Sequence, residues 1–345
     1  WTYDNVAPTM GITSTTSGVT SGSTTNNSTI NLTFTASEAA TGFAADDITV
    51  SGGSLSSFTQ VNPSIYTATF TPSGAGATTI DVAGNKFTDP VGNNNSAATQ
   101  FTWTYDNVAP TLAITSTTSG VTSGATTNDS TINLTFTASE AATGFDANDI
   151  TVSGGSVSSF TAVSSTVYTA TFTPSGSGVT TVDVAGNKFT DVGGNNNSAA
   201  TQFTWTYDNV VPTMTITSTT SGVTSGATTN NSTIALTFTA SEAATGFVVG
   251  DITVSGGSLS SFATVSSTVY TATFTPSGAG ATTVDVAGNK FTDAVGNNNS
   301  AATQFTWTYD NAITMAITST TSGVTSGSTT NDSTIALRFT ASEAA

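Results

Sequence analysis

The chain repeats itself every 102 residues, and this feature constrains its fold more than any other. Trp1, Trp103, Trp205 and Trp307 each open the same block, Trp-Thr-Tyr-Asp-Asn. A unit of this length is the size of a domain with its own core, whereas solenoid repeats are much shorter and bury apolar surface only against their neighbours. The 345 residues therefore predict three complete domains in tandem and the beginning of a fourth.

Each repeat has the pattern of short β-strands. From Thr29 to Thr35, the apolar residues Ile30, Leu32 and Phe34 alternate with polar ones, which is typical of a half-buried strand. The same alternation occurs at Met10 and Ile12, at Ile48 and Val50, at Tyr66, Ala68 and Phe70, at Ile80 and Val82, and at Phe101, Trp103 and Tyr105.

Clusters of Gly, Ser, Asn and Pro separate these strands, at 51–54, 72–74 and 92–95. No segment has a helical period. About seven short strands in a repeat of this size predict an all-β fold, a tandem array of immunoglobulin-like β-sandwiches arranged as beads on a string. The alternation of Trp103 with threonine favours a core strand over an exposed sugar-stacking surface.

The expected domain edge lies just after the Asp-Asn pair. Asp106 and Asn107 follow one strand, and Pro110, which fixes its own φ angle, precedes the next. This linker has no Gly/Ser stretch, so we expect it to be stiff. The expected boundaries are 1–5 for the end of a preceding domain, 6–107, 108–209 and 210–311 for three domains, and 312–345 for part of a fourth. Because the chain opens on Trp1 rather than Met, we expect it to be a segment of a longer protein.

Composition excludes several classes of function. The chain has no histidine and no cysteine, which excludes an imidazole base, a thiol nucleophile and a disulfide. Only 4 of its residues are Lys or Arg, too few to neutralise a track of phosphates, so we expect no nucleic-acid partner. No apolar run approaches the ~20 residues of a membrane span. Its acidic residues recur in every repeat at loop ends, so we expect no enzyme.

Those recurring carboxylates suggest a calcium site. Threading a repeat onto an Ig-like sandwich brings Asp106, Glu140, Asp149 and Asp191 to the end that faces the preceding repeat. Carboxylates crowded there repel one another unless they are neutralised, and oxygen ligands suit Ca²⁺. The full candidate set adds the equivalent residues Asp4, Glu38, Asp47, Asp89, Asp208, Glu242, Asp251, Asp293 and Asp310.

Asparagines of the same loop, Asn195 and Asn197, would add amide oxygens to the calcium site. The alternative is that each carboxylate caps a turn through an Asx-type hydrogen bond, with Lys188 as the local counter-charge. Both hypotheses remain open on the sequence alone.

Several segments together resemble the bacterial Ig-like domains of giant surface adhesins. They are Ser-Glu-Ala-Ala-Thr-Gly-Phe at 37–43, Asp-Ile-Thr-Val at 47–50, Tyr-Thr-Ala-Thr-Phe-Thr-Pro at 66–72, Asp-Val-Ala-Gly at 81–84 and Tyr-Asp-Asn-Val-Ala-Pro at 105–110. The match covers every repeat. The linker is also similar to that of cadherins, although the other cadherin calcium motifs are missing. The resemblance implies an exported protein of a prokaryotic cell surface or secreted matrix, with Ig-like beads that often bind calcium between them.

Three functions follow as hypotheses. The first is the structural stalk of an extracellular adhesin, in which neighbouring repeats are one another's partners. The second is a self-assembling extracellular filament or biofilm-matrix protein, in which repeats contact other copies of the chain. The third is a carbohydrate-binding array that gains avidity from repetition.

Overall fold

The computed structural model describes residues 3–311 and 313–342. Trp1 and parts of the expected segments 1–5 and 312–345 therefore lie outside the described residues. Residues 1–207 form one compact unit, and residues 208–345 form a second.

The strand sequence is the same in all three complete repeats. In repeat 1 the strands are β1 (Met10–Ser14), β2 (Thr24–Thr25), β3 (Ile30–Ala36), β4 (Ile48–Ser51), β5 (Gly53–Asn62), β6 (Ile65–Pro72), β7 (Gly76–Val82) and β8 (Phe101–Tyr105). In repeat 2 they are β9 (Leu112–Ser116), β10 (Thr126–Thr127), β11 (Ile132–Ala138), β12 (Ile150–Ser153), β13 (Gly155–Ala162), β14 (Val167–Pro174), β15 (Gly178–Val184) and β16 (Phe203–Tyr207).

Repeat 3 continues the series with β17 (Met214–Ser218), β18 (Thr228–Thr229), β19 (Ile234–Ala240), β20 (Ile252–Ser255), β21 (Gly257–Thr264), β22 (Val269–Pro276), β23 (Gly280–Val286) and β24 (Phe305–Tyr309). A hairpin of β25 (Met315–Ser319) and β26 (Leu337–Ala341) follows. A short 3₁₀ helix precedes the fourth strand of each repeat, at Ala45–Asp47, Ala147–Asp149 and Val249–Asp251. None of the helices in the described part of the chain is long and apolar enough to cross a membrane.

Each repeat is a sandwich of two four-stranded sheets. In repeat 2 the strand orders are β13-β14-β11-β9 and β10-β16-β15-β12. Neighbouring strands are antiparallel, except that the two-residue strand β10 pairs with β16 in parallel. The predicted fold, a tandem all-β array of Ig-like sandwiches, is confirmed.

Alternating burial along the strands builds the core between the sheets. In β11, Ile132, Leu134 and Phe136 are each at most 1% exposed, while the residues between them face outward. Trp205 of β16 is also 1% exposed, and its indole N–H donates to the Thr127 hydroxyl at 3.1 Å. The repeated tryptophan therefore belongs to the core and offers no surface on which a sugar could stack.

The buried side chains form three separate clusters. One is drawn from residues 10–103, one from 112–205 and one from 214–307, so each cluster lies within a single repeat. In the hairpin of β25 and β26, by contrast, Met315, Ile317 and Phe339 are more than half exposed. Each complete repeat therefore has the apolar core that it needs to fold alone.

Two predicted turns are wrong in their extent, and one of them is the cluster at 72–74, whose first residue, Pro72, ends β6. The cluster at 51–54 was expected to lie between strands, but β5 already begins at Gly53. Only Gly53, Leu55 and Phe58 of β5 are half-buried, and its other seven residues are exposed, so the alternation of burial along β5 is weak. A bulge separates Ser56 from Thr59 in the pairing of β5 with β6, and Ser57 adopts a φ of 51° there.

Candidate metal centre

Three carboxylates converge at the N-terminal end of each complete repeat. In repeat 2, Asp106 lies in the linker after β8, Glu140 follows the end of β11, and Asp191 lies in the loop between β15 and β16. One oxygen from each lies within 4.8 Å of the others. The equivalent groups are Asp4, Glu38 and Asp89 in repeat 1, and Asp208, Glu242 and Asp293 in repeat 3.

Asp106 is bonded to the repeats on both sides of it. Its backbone N–H donates to the carbonyl oxygen of Thr25 in repeat 1 at 3.0 Å. Its own carbonyl oxygen accepts from the side-chain amide of Asn195 in repeat 2, also at 3.0 Å. Its carboxylate accepts the N–H of Val108 at 3.1 Å, the expected Asx-type cap. This candidate site therefore lies at the junction of repeats 1 and 2.

Asp191 organises the loop that carries it, which we call the 191–195 loop. Its side chain is buried at 3% exposure and accepts the backbone N–H and the side-chain amide of Asn195, both at 2.9 Å. A carboxylate has about four lone-pair positions, so these bonds leave it able to bind a cation as well.

The equivalent Asp89 of repeat 1 is capped more completely. Its carboxylate accepts the backbone N–H groups of Val91, Gly92 and Asn93. Burial alone would raise the pKa of Asp89, but these bonds and the one from the Asn93 side chain hold it below its usual value. Turn capping and membership of the acidic group therefore coexist in the same side chain.

Glu140 is the uncompensated member of its group. Desolvation raises the pKa of its carboxyl, and the negative charges of Asp106 and Asp191 raise it further. Lys188, the expected counter-charge, has an exposed side chain and is not among the charges that act on Glu140. The same two causes raise the pKa values of Glu38 and Glu242.

Other residues of the predicted set lie elsewhere. Asp149 is outside the acidic group because its carboxylate accepts the N–H of Asp146 at 2.9 Å and caps the 3₁₀ helix. The same cap holds Asp47 and Asp251, which bond to the N–H groups of residues 44 and 248. Asp310 donates its backbone N–H to Thr229 at 3.0 Å, and its glutamate counterpart lies outside the described residues.

Asn197 is a structural residue rather than a ligand. Its amide oxygen accepts the backbone N–H groups of Lys188 and Phe189 at 2.7 and 3.0 Å. Its amide nitrogen donates to the carbonyl oxygens of Ala185 and Ser198. The expectation that its oxygen faces a cation is therefore wrong, because backbone N–H groups occupy that oxygen.

Sequence reasoning missed Asn26, which reaches across the same junction. Its backbone N–H and its side-chain amide both bond to the 191–195 loop of repeat 2. Asparagine recurs at this position as Asn128 and Asn230, but in a chain so rich in asparagine that recurrence carried little signal.

The oxygen-only donor set of the acidic groups is compatible with a calcium ion. Two oxygens bound to one Ca²⁺ at 2.3–2.6 Å can lie up to about 5 Å apart, which matches the spread of the three carboxylates. Oxygen-only ligands disfavour zinc and copper, which prefer nitrogen or sulfur. Bound there, the ion would cancel the repulsion that raises the pKa of Glu140.

Comparison with known protein families gives one clear match. The model of the bacterial Ig-like domain family matches residues 4–105, 106–207 and 208–309. The chain belongs to this family. The resemblance drawn from the sequence is thereby confirmed, and the matched bacterial Ig-like domains begin two residues before the boundaries expected from the linker. No curated protein matches the chain.

Several solved structures are similar to these bacterial Ig-like domains. Invasin, described as a bacterial integrin-binding protein, is 14% identical over 91% of this chain and 62% of that structure, with a TM-score of 0.36. InvD of Yersinia pseudotuberculosis is 14% identical over 90% of this chain and 84% of its own, with a TM-score of 0.31. The surface layer protein SbsC is 13% identical over 98% of this chain and 63% of its own, with a TM-score of 0.21. The chain thus spans less than two thirds of the invasin structure.

Proposed function

We propose that the chain is part of the structural stalk of an extracellular adhesin, in which tandem Ig-like repeats extend a binding domain from a prokaryotic cell surface. The observation that carries the proposal is the junction at Asp106, whose backbone N–H is bonded to repeat 1 and whose carbonyl oxygen is bonded to repeat 2. Domains with separate cores and short bonded linkers suit a spacer that must hold its reach.

The proposal includes a calcium ion at each acidic group. Asp106, Glu140 and Asp191 would supply carboxylate oxygens, and backbone carbonyls or water would complete the coordination. Because Asp106 belongs to the linker and the other two to repeat 2, an ion bound there would tie the linker to the second repeat.

Calcium titration of the fragment 1–207 tests this site. An ion that binds only the folded arrangement stabilises it by about 2.7 kcal/mol at a hundredfold excess over Kd. We expect calorimetry to detect binding, and a chelator to lower the melting temperature. Asp106→Asn and Glu140→Gln should weaken binding at the second site. Asp183→Asn is the matched control, because it removes the same charge from an outward position on β15 that lies outside the acidic group.

Two outcomes would contradict the calcium site. One is the absence of calcium binding at millimolar concentration together with melting that a chelator leaves unchanged. The other is an equal effect of Asp183→Asn and Asp106→Asn, because then calcium would respond to net charge and not to this geometry. In either case the aspartates act only as turn caps.

The filament is the second candidate, and one feature weighs against it. β13 lies at the edge of its sheet and carries a bulge between Ser158 and Thr161, with Ser159 at a φ of 54°. Bulges on edge strands hinder pairing with another chain. Sedimentation of residues 1–207 at high concentration would reveal a bundle if copies nevertheless associate. A carbohydrate-binding array would need a ligand on a glycan array, since the repeated tryptophan is buried.

A further inference from the structure

A single asparagine of repeat 1 holds a loop of repeat 2. The backbone N–H of Asn26 donates to the carbonyl oxygen of Gly193 at 2.9 Å. Its side-chain Nδ2 donates to the carbonyl oxygen of Gly194, also at 2.9 Å. Both distances are those of well-formed hydrogen bonds. Two donors on one residue, directed at two successive carbonyls, restrict orientation as well as separation.

On the side of repeat 1, Asn26 is anchored to the core. It directly follows β2, and the hydroxyl of Thr25 in that strand accepts the indole N–H of Trp103 at 3.1 Å. Trp103 is 1% exposed. The backbone of Asn26 therefore continues directly from a residue that is held by the core of its own repeat, which reduces the conformational freedom that is lost when Asn26 binds the loop.

On the side of repeat 2, the 191–195 loop is closed upon itself. The backbone N–H of Asp191 donates to the carbonyl of Asn195 at 3.1 Å, and Asn195 bonds back to the Asp191 carboxylate through its backbone and its side chain. The carbonyls of Gly193 and Gly194 project from a loop that is already ordered.

Two glycines form the part of the loop that faces Asn26. Gly194 has a φ of 90°, and a Cβ built there would lie 3.6 Å from the Asn26 amide nitrogen. A Cβ on Gly193 would lie 3.0 Å from the Asp106 Cβ. The backbone N–H and the side-chain amide of Asn26 therefore meet backbone carbonyls of the loop, with no side chain of the loop between them.

We propose that Asn26 and the 191–195 loop form a clasp that fixes the orientation of repeat 2 on repeat 1. The partner surface is the glycine-bearing part of the next repeat's loop, recognised through its carbonyl oxygens. The same loop carries Asp191 of the acidic group, so closing the clasp also holds one calcium ligand in place. The inference rests on the proposed stalk, for which it names the contact that sets the angle between two repeats.

The test uses the isotope-labelled fragment 1–207, because each of its two repeats has its own core. Residual dipolar couplings report whether the two repeats share one alignment tensor, and amide exchange reports the Asn26 N–H directly. In the wild type we expect one shared tensor. We also expect exchange at Asn26 about three- to tenfold slower than in a fragment that contains repeat 1 alone, the effect of one net hydrogen bond.

Asn26→Asp removes both side-chain donors and places a carboxylate against a carbonyl oxygen. The two repeats should then give different tensors, and exchange at residue 26 should rise to the rate of repeat 1 alone. Asn31→Asp is the matched control, since it makes the same chemical change on an outward position of β3, and it should behave as the wild type. Unchanged chemical shifts in the core strands would show that each variant is folded.

Separate tensors in the wild type, or a shared tensor in Asn26→Asp, would overturn the clasp. The calcium titration tests the stalk proposal through substitutions of other residues, and its readout is binding rather than alignment, so a failure of the clasp and a failure of the stalk proposal are distinguishable. Conversely, a chain that assembles into bundles would contradict the stalk and leave the clasp standing.

Discussion

Two neighbouring residues of β11 lie on opposite faces of the strand, and only one of them is in the core. Leu134 is 1% exposed on the inward face of β11, and its neighbour Thr135 lies on the outward face. Leu134→Asp buries a carboxylate without a partner, at a cost of several kcal/mol, which is comparable with the stability of a whole domain. We expect it to unfold repeat 2 and to leave the cores of repeats 1 and 3 intact, as limited proteolysis would show.

Thr135→Arg is the control for that substitution. The fourth repeat carries Arg338 at the equivalent position, where it is exposed, so the change should alter stability by less than about 0.5 kcal/mol. Equal damage from both substitutions would mean that the two faces of β11 are assigned wrongly.

Glu140 contributes a pH dependence to the stability of repeat 2, and its sign follows from the direction of the pKa shift. Its raised pKa means that the folded state holds the proton more tightly than the unfolded state does. The resulting stability is complete below the ordinary pKa of glutamate, and it is lost as the pH rises through the raised value.

Glu140→Gln should therefore stabilise calcium-free repeat 2 at neutral pH by a few tenths of a kcal/mol, a small effect because the site is largely solvated. At pH 4 the variant and the wild type should unfold at the same urea concentration, since the wild-type carboxyl is then protonated as well. A stabilisation that is larger at pH 4 than at pH 7 would contradict the assignment. The lowered pKa of Asp89 acts in the opposite sense in repeat 1, where stability is lost as the pH falls.

The turn from β12 into β13 requires a glycine at position 155. A Cβ on Gly155 would overlap the carbonyl oxygen of Thr173 and the ring of Phe172. Because backbone atoms cannot move aside without breaking the sheet, Gly155→Ala should cost about 1–3 kcal/mol. In a domain of this size, each 1 kcal/mol lowers Tm by about 4–8 °C.

Gly176→Ala is the companion variant, because nothing lies within 4 Å of a Cβ at that position. It should melt close to the wild type in the same calorimetric scan. If Gly155→Ala also melts like the wild type, then Gly155 does not lie as close to Thr173 and Phe172 of β14 as the structure places it.

The strands that could be predicted are those in which burial alternates. β11, β14, β15 and β16 bury every second residue, and most of these residues are apolar. A period of two in the sequence therefore predicts these strands. β10 could not be predicted, because two threonines have no period. It is formed by long-range contacts, because β10 pairs with β16 and the indole N–H of Trp205 reaches the hydroxyl of Thr127, 78 positions away.

The candidate site was predictable in part for a similar reason. Strand order alone brings the linker and two loops to one end of the sandwich, so Asp106, Glu140 and Asp191 could be grouped from the sequence. Asp149 follows the same topology, but a local bond to the N–H of Asp146 determines where its carboxylate points. Such local caps are decided by side-chain geometry, which strand order does not contain.

At the scale of the molecule, the separate cores predict independent folding. The fragment 106–207 contains a complete apolar cluster and both sheets of repeat 2. We expect it to melt cooperatively, with the circular dichroism of a β-protein. A spectrum of a disordered chain would contradict the existence of autonomous repeats.

The short parallel pairing of β2 with β8 has a consequence under tension. Pulling the two ends of repeat 1 apart loads this pair in shear. The force acts on the N-terminal end of β2 and on the C-terminal end of β8, and in two parallel strands these ends point in opposite directions. Three bonds would be strained together: Gly22 N–H to Thr102, Thr104 N–H to Ser23 and Asp106 N–H to Thr25, at 2.8, 2.9 and 3.0 Å. Once they break and the repeat unfolds, its 102 residues can extend to roughly 340 Å. For the stalk proposed above, this predicts that a load would lengthen the chain in steps, one repeat at a time, before the full force reached its point of attachment.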